Sequence, residues 1–288
     1  MATDHEDTFP LGDWTRRLVG AGLAEDIGPG DATTTVAVDR ATVGRAELRV
    51  RRAGVVAGLP LLELLYGELD PAVAVRRDLR DGAEVADGAV IARLEGPLAS
   101  LLTGERTALN FLQHLSGIAT LTARYVALTR GTSCRVLDTR KTLPGYRLLA
   151  KYAVRCGGGH NHRLGLYDRI LLKDNHWAGA GGAITDLVAR ARRAYPELPI
   201  EVEVDDLDQL ATVLPLRVAW VLLDNFTTGE VADAVRLRDE SGAGTLLEVS
   251  GNVTLETIGD YARAGVDAAS VGRLTHSAPA LDLGLDLT

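Results

Sequence analysis

Beyond about residue 130 the chain repeats one rhythm, and that rhythm restricts the fold more than any other feature. A short apolar run ends in polar or charged residues, and an amphipathic helical stretch follows. The run at 134–137 leads into Asp138-Thr139-Arg140-Lys141, and 170–172 leads into Lys173-Asp174-Asn175-His176. The run at 200–204 carries Glu201 and Glu203. Those at 220–223, 246–249 and 268–271 end in Asp224-Asn225, Ser250-Gly251-Asn252 and Gly272-Arg273. Helical patterns lie between them at 185–194, 207–213 and 254–264. Strand, polar end, helix, repeated about six times, is the signature of parallel βα units. The segment 134–276 is well short of the ~250 residues of an eight-unit barrel, so it reads as an incomplete α/β barrel. An open doubly wound sheet is the alternative, and it too would place a ligand at the strand C-termini.

The first hundred residues follow a different pattern. A short helix is predicted over 11–27. Residues 43–51 alternate, with Ala46, Leu48 and Val50 on one face and Arg45, Glu47, Arg49 and Arg51 on the other, as in a half-buried antiparallel strand. A helix opened by Pro60 covers 59–69. Short strands follow around 73–75, 85 and 90–94, separated by turns at Asp81-Gly82 and Asp87-Gly88. The result is an α+β layer. A long helix over 98–129, with a kink expected at Gly117, connects it to the repeats.

Composition narrows the class. The chain has 288 residues, 46% hydrophobic, and no window approaches the ~18 uninterrupted apolar residues of a membrane helix. Met1 to Asp7 is acidic and unlike a signal peptide. Cys134 and Cys156 form no CxxC pair, so a reducing cytoplasm is expected. A formal net charge of −8 opposes nonspecific nucleic-acid binding. Lysine is scarce: Lys141, Lys151 and Lys173 are the only three among 31 basic residues, and two of them lie at strand ends.

Those strand ends gather cations. Arg140, Lys141, His162, Arg163 and Lys173 fall there or in adjoining loops, with Arg106 on the preceding helix. Cations converging on one barrel mouth repel one another unless a polyanion neutralises them. An acidic substrate with carboxylate and phosphate groups is expected. Arginine matches planar carboxylates, and lysine a phosphate oxygen. Glu203 and Asp224 oppose them. Inner-face carboxylates need a cation, a metal or a substrate hydroxyl, and a structural network with the lysines is the other option. Glycine-rich stretches at 157–159, 250–252 and 272–273 offer backbone amides for an anion, although each glycine alone could serve a turn.

Several motifs do not form. There is no Walker A sequence, and Gly179-Ala180-Gly181-Gly182 completes no dinucleotide fingerprint. Arg163 beside His160-x-His162 disfavours a metal pair. A Schiff-base lysine at 141 or 173 is a rival chemistry, and the crowd of arginines speaks against it.

Taken together, Asp138-Thr139-Arg140-Lys141-Thr142, Gly157-Gly158-Gly159-x-Asn161-His162-Arg163-Leu164-Gly165, Lys173-Asp174-Asn175-His176, Glu201-Val202-Glu203-Val204, Leu223-Asp224-Asn225-Phe226, Ser250-Gly251-Asn252 and Leu274-Thr275-His276-Ser277 resemble, in order, the quinolinate phosphoribosyltransferases. The resemblance covers nearly the whole chain. It implies an N-terminal α/β sandwich domain over 1–115, a C-terminal incomplete α/β barrel of six or seven units over 116–276, and a tail over 277–288 returning to the first domain. It further implies transfer of phosphoribosyl from phosphoribosyl pyrophosphate to quinolinate, with loss of CO2, in NAD biosynthesis. Neither nucleic acid nor membrane is an expected partner.

By the same resemblance Arg140, His162, Arg163, Lys173 and Thr139 hold quinolinate, with Arg106 reaching in from the partner of a homodimer; a higher oligomer stays open. Lys141, Glu203, Asp224, Ser250, Gly251, Asn252, Gly272, Arg273 and His276 hold phosphoribosyl pyrophosphate. Lys141, Lys173, Glu203 and Asp224 are the catalytic set, and Glu203 and Asp224 hold Mg2+ through water. Related pyrophosphorylase-like proteins of molybdate-transport operons share the fold. Arg273 and Tyr146 depart from the family's more usual residues.

Overall fold

A computed structural model describes residues 8–173, 175–176 and 183–288. Asp174 and Gly179-Ala180-Gly181-Gly182 lie outside the described residues. Contacts divide the chain into two units. The first takes Met1–Ala123, Thr142–Gly158 and Leu274–Thr288; the second takes Arg124–Lys141 and Gly159–Arg273. Thr142–Gly158, which chain order alone would assign to the barrel, therefore groups with the first unit.

In the first unit, β1 (Val43–Val50) is the alternating strand. Ala46, Leu48 and Val50 are buried. On its other face Glu47 pairs with Arg49 and Arg93, and Arg45 lies 3.0 Å from Glu95. With β3 (Ala74–Arg77), β5 (Val90–Pro97) and β12 (Leu283–Leu287) it forms an antiparallel sheet in the order β12-β1-β5-β3. The last strand of the chain thus lies on the first, with Leu48 opposite Leu285 and Val50 opposite Leu283. Short β2 (Gly54–Val55) and β4 (Glu84–Val85) pair separately. Gly82 and Gly88 adopt φ of 85° and 79°, the left-handed backbone that the two Asp-Gly turns require.

Helices α1 (Asp13–Ile27), α2 (Ala32–Ala37), α3 (Pro60–Leu69), α4 (Leu98–Leu128) and α5 (Arg147–Cys156) complete this unit, with the end of α4 passing into the second. α3 buries Leu61, Leu62, Leu64, Leu65 and Tyr66, and the Tyr66 hydroxyl donates to the Leu101 carbonyl at 3.1 Å. Gly104 lets α4 approach, since a Cβ there would sit 2.7 Å from the Tyr66 ring. Gly117 has the same kind of role. A Cβ on it would collide with the Pro279 carbonyl oxygen, so this glycine admits the returning C-terminal segment, and α4 is one helix through it. Tyr146 stacks on Phe111 at 6.0 Å and meets His114 edge-on at 5.1 Å. This aromatic cluster explains why an aromatic residue is accommodated there.

The second unit holds a six-stranded parallel sheet of β6 (Arg135–Leu137), β7 (Ile170–Leu172), β8 (Ile200–Val204), β9 (Trp220–Asp224), β10 (Leu246–Ser250) and β11 (Ala268–Ser270). Its order is β6-β11-β10-β9-β8-β7. Strands follow one another in chain order, and the last then pairs with the first. That is the cyclic order of a barrel and not the reversal of a doubly wound sheet. His160 bridges Leu137 in parallel fashion on the free edge of β6. The barrel is therefore incomplete. Connecting helices are α6 (Ile184–Ala194), α7 (Leu207–Val213), α8 (Thr228–Ser241) and α9 (Ile258–Ala264); the short α10 (Arg273–His276) begins at the last residue of this unit and passes into the first. Their starts are set locally: the Asp206 side chain accepts from the Gln209 N–H, and Thr227 with Glu230 forms a capping box. Among the described residues no helix is long and apolar enough to cross a membrane.

Candidate active site

Strand parity builds the site. Residues two apart on a strand share a face, and the pairs Leu171 and Lys173, Glu201 and Glu203, Leu222 and Asp224, and Glu248 and Ser250 follow β7 to β10, with Lys173, Glu203, Asp224 and Ser250 toward the C-terminal ends. A cavity of about 370 Å³ opens there. It is lined by the cationic and polar residues Thr139, Arg140, Lys141, His162, Arg163 and Lys173 together with Glu203, Asp224, Glu248, Ser250 and Ser270. Nine of the residues expected from the sequence meet in this one cavity.

The cationic wall is held by Asp138, fully buried at the end of β6. Its carboxylate accepts the His162 N–H at 2.9 Å and the Asn161 side-chain amide at 2.6 Å. The segment after His160 is thereby fastened beside the 139–141 loop, where the Thr139 hydroxyl accepts the Lys141 N–H at 3.0 Å. Burial and, after it, the nearby Arg140 guanidinium lower the Arg163 pKa from its ordinary value. A wall that brings two guanidiniums together suits an acidic ligand. At the mouth Lys173 Nζ donates to Glu203 Oε2 at 2.5 Å. The His176 ring accepts the Lys173 N–H at 2.8 Å.

Below the mouth, His162 Nε2 lies 3.2 Å from Glu201 and 3.5 Å from Glu248, both fully buried. Arg169 Nη1 donates to Glu201 at 3.1 Å, and the Ser270 hydroxyl donates to Glu248 at 2.5 Å. Burial works against ionisation of Glu201, but His162 and Arg169 outweigh it and hold its pKa below the ordinary value. Glu248 is raised well above, by burial first and then by the Glu201 charge. Glu248, Ser270 and Asp138 were not singled out from the sequence. Parity could have found the first, two residues before Ser250 on an inward face.

Consecutive loops after β9 and β10 are tied together. The Asn225 N–H donates to the Ser250 carbonyl at 2.8 Å, and the Asn252 amide donates to Asn225 Oδ1 at 3.3 Å. Asn225, Gly251 and Asn252 all have left-handed backbone, with φ of 59°, 85° and 54°. A Cβ on Gly251 would run into Asn225 Oδ1. Left-handed non-glycine residues concentrate at functional sites, and here they bring backbone close to the mouth. Gly251 and Asn252 continue from Ser250, while Gly272 and the exposed Arg273 follow β11 in the second unit. Arg106 and His276 belong to the first unit. Arg106 is exposed on α4, and the His276 ring meets the Ser277 hydroxyl at 2.6 Å.

An incomplete α/β barrel with a cationic wall, a facing carboxylate pair and tight backbone turns at late strand ends defines an anion-binding barrel enzyme of the phosphate-handling kind. Comparison with known proteins specifies which. The family model for the quinolinate phosphoribosyl transferase N-terminal domain matches residues 31–116, and that for its C-terminal domain matches 118–286. A carboxylating nicotinate-nucleotide pyrophosphorylase of Mycobacterium leprae is 45% identical over 278 residues, covering 96% of this chain and 98% of the relative. A probable one of Bacillus subtilis is 39% identical, over 95% of this chain and 93% of its own length. The solved nicotinate-nucleotide pyrophosphorylase of Francisella tularensis superposes with a TM-score of 0.92 at 39% identity, covering 99% of this chain and all of that one. The chain belongs to the quinolinate phosphoribosyl transferase family.

Proposed function

We propose that the cavity at the barrel mouth binds quinolinate and phosphoribosyl pyrophosphate and forms nicotinate mononucleotide, pyrophosphate and CO2. The observation that carries this reading is one cavity lined together by Arg140, Arg163, Lys141 and Lys173 and by Glu203 and Asp224. Quinolinate presents two adjacent carboxylates, and Arg140, Arg163, Lys173 and Thr139 supply cations and a hydroxyl for them. His162 supports the same wall from below. Lys141 and Lys173 face the pyrophosphate side, and Glu203 and Asp224 take the ribose side. Ser250, Gly251, Asn252, Gly272 and Arg273 receive the 5′-phosphate.

In the reaction the pyridine nitrogen attacks the anomeric carbon while its bond to pyrophosphate breaks, and the leaving group departs with the electron pair. Carboxylates on the sugar side stabilise the cationic transition state, and the lysines stabilise the developing charge on pyrophosphate. The resulting pyridinium accepts the electrons released when the adjacent carboxylate leaves as CO2, and a proton takes its place. Positioning and fixed charge do most of the work. Mg2+ fits the donor set: carboxylate oxygens are its ordinary ligands, and the Lys173 ammonium beside Glu203 favours contact through water. When bound, the ion adds positive charge on the pyrophosphate. We assign Arg106 to the partner's site in a homodimer, and the protein to the cytoplasm.

Calorimetric titration with quinolinate tests the site. Binding to the wild type, with binding lost in Arg140→Ala and Arg163→Ala while both variants keep their Tm, supports the reading. Unchanged affinity in both variants would refute it.

A further inference from the structure

We propose that Glu248 is a positioning residue for the dicarboxylate, holding the cavity floor as a neutral carboxylic acid. The proposal rests on the substrate reading above. Glu201 on β8 and Glu248 on β10 flank β9 and both face inward onto His162. The hydrogen-bonding groups around them are the Arg169 guanidinium, one imidazole N–H and the Ser270 hydroxyl, with the Arg163 guanidinium acting on Glu201 by its charge. The remaining oxygens, Glu201 Oε1 and Glu248 Oε2, are buried without a hydrogen-bond partner. Two anions so placed would repel each other and leave both oxygens unmatched, which a buried site does not tolerate. One proton on Glu248 removes the second charge and supplies a donor that the pair lacks.

A metal ion is the other way to neutralise this cluster, since His162, Glu201 and Glu248 offer ligand atoms within 4.8 Å of one another. The histidine argues against it. His162 Nδ1 accepts the Arg163 N–H at 2.7 Å, so the ring proton sits on Nε2, facing the carboxylates. A ring nitrogen carrying its proton is no ligand. The burial that raises Glu248 agrees with a retained proton.

The consequence reaches the substrate through His162. Its main-chain N–H is held by Asp138 and its Nδ1 by Arg163, so the floor sets the backbone from which the Arg163 side chain rises. A second negative charge at Glu248 would oppose the dicarboxylate from below. Glu201, Arg169, His162 and Ser270 are the groups that face it there, with Glu203, Asp224 and Lys173 nearer the mouth.

Glu248→Gln, which mimics the protonated form, separates this from a structural role. We expect its quinolinate Kd near neutral pH to stay within about threefold of wild type, because the amide keeps shape and donor. Glu248→Ala should weaken binding roughly tenfold or more. As pH rises, wild-type affinity should fall where Glu248 ionises, and that loss should be absent from Glu248→Gln. The infrared difference spectrum between wild type and Glu248→Gln, both without substrate, should contain the C=O stretch of a carboxylic acid. No such band, or a Gln variant as impaired as the Ala variant, overturns the proposal. The band in a protein that does not bind quinolinate would uphold the neutral acid and overturn the substrate reading instead.

Discussion

Lys173 Nζ stands 2.5 Å from Glu203 Oε2, joining the ends of two neighbouring barrel strands at the mouth of the cavity. The lysine side chain is 43% exposed and the glutamate 9% exposed. An ion pair so open to water adds little to stability, and its placement at the strand ends is what a reacting site needs. Lys173→Ala should therefore lower kcat/KM by about a hundredfold or more, the scale of losing one positioned charge. Its Tm should move by no more than about 3 °C. Steady-state kinetics and a thermal melt on the same sample check both halves.

Arg106 offers a test of the partner's contribution. It is exposed on α4 and belongs to the first unit. If it completes the site of a second subunit, Arg106→Ala and Lys173→Ala should each be nearly inactive alone. Mixing and re-equilibrating them should restore about a quarter of wild-type activity, since half the dimers then carry one intact site. Activity that stays at the level of the separate variants would place Arg106 outside the partner's site.

Asp81 governs a different property. Its carboxylate accepts the Gly58 and Leu59 N–H groups, both at 2.9 Å, and the Tyr152 hydroxyl at 2.7 Å. Burial nevertheless raises its pKa above the ordinary 3.8, outweighing these hydrogen bonds. The native state then holds the proton more tightly than the unfolded chain, so the contribution of this group to stability falls as pH rises from 3.8 through the raised value. The Tm difference between Asp81→Asn and wild type should shift in favour of the variant across that interval. Melts in a series of acidic buffers measure it.

Gly117 is a packing position. Because a Cβ there would meet the backbone of Pro279, Gly117→Ala must displace the C-terminal segment that lies on α4. Overpacking of this kind costs about 1–3 kcal/mol, so the variant should melt several degrees lower. Normal helix content by circular dichroism would place the loss in packing.

The sequence made the barrel legible because its strands end in charged residues and its helices repeat between them. Those features sit at the surface of a regular pattern. The cations at 140, 141, 163 and 173 and the carboxylates at 203 and 224 could be found for the same reason, since unlike charges concentrated at strand ends are conspicuous. The floor was not legible. Glu248 lies in an apolar run and Asp138 reads as a loop residue, and their importance comes from partners 20 or more positions away: Ser270 for one, His162 for the other. Helix α5 was also missed, since it carries Lys151 and Arg155 among its apolar residues and groups with a unit that chain order does not indicate. Gly117 shows the same limit. Helix position suggests a kink, whereas contact with Pro279, 162 positions later, explains the glycine.

The most direct measurement is product stoichiometry. Purified protein is incubated with quinolinate, phosphoribosyl pyrophosphate and Mg2+, with CO2 and nicotinate mononucleotide both quantified, and a parallel reaction contains nicotinate. The account predicts equal yields of CO2 and mononucleotide from quinolinate and nothing from nicotinate. Mononucleotide from nicotinate, or no product from quinolinate in a folded protein, would contradict it.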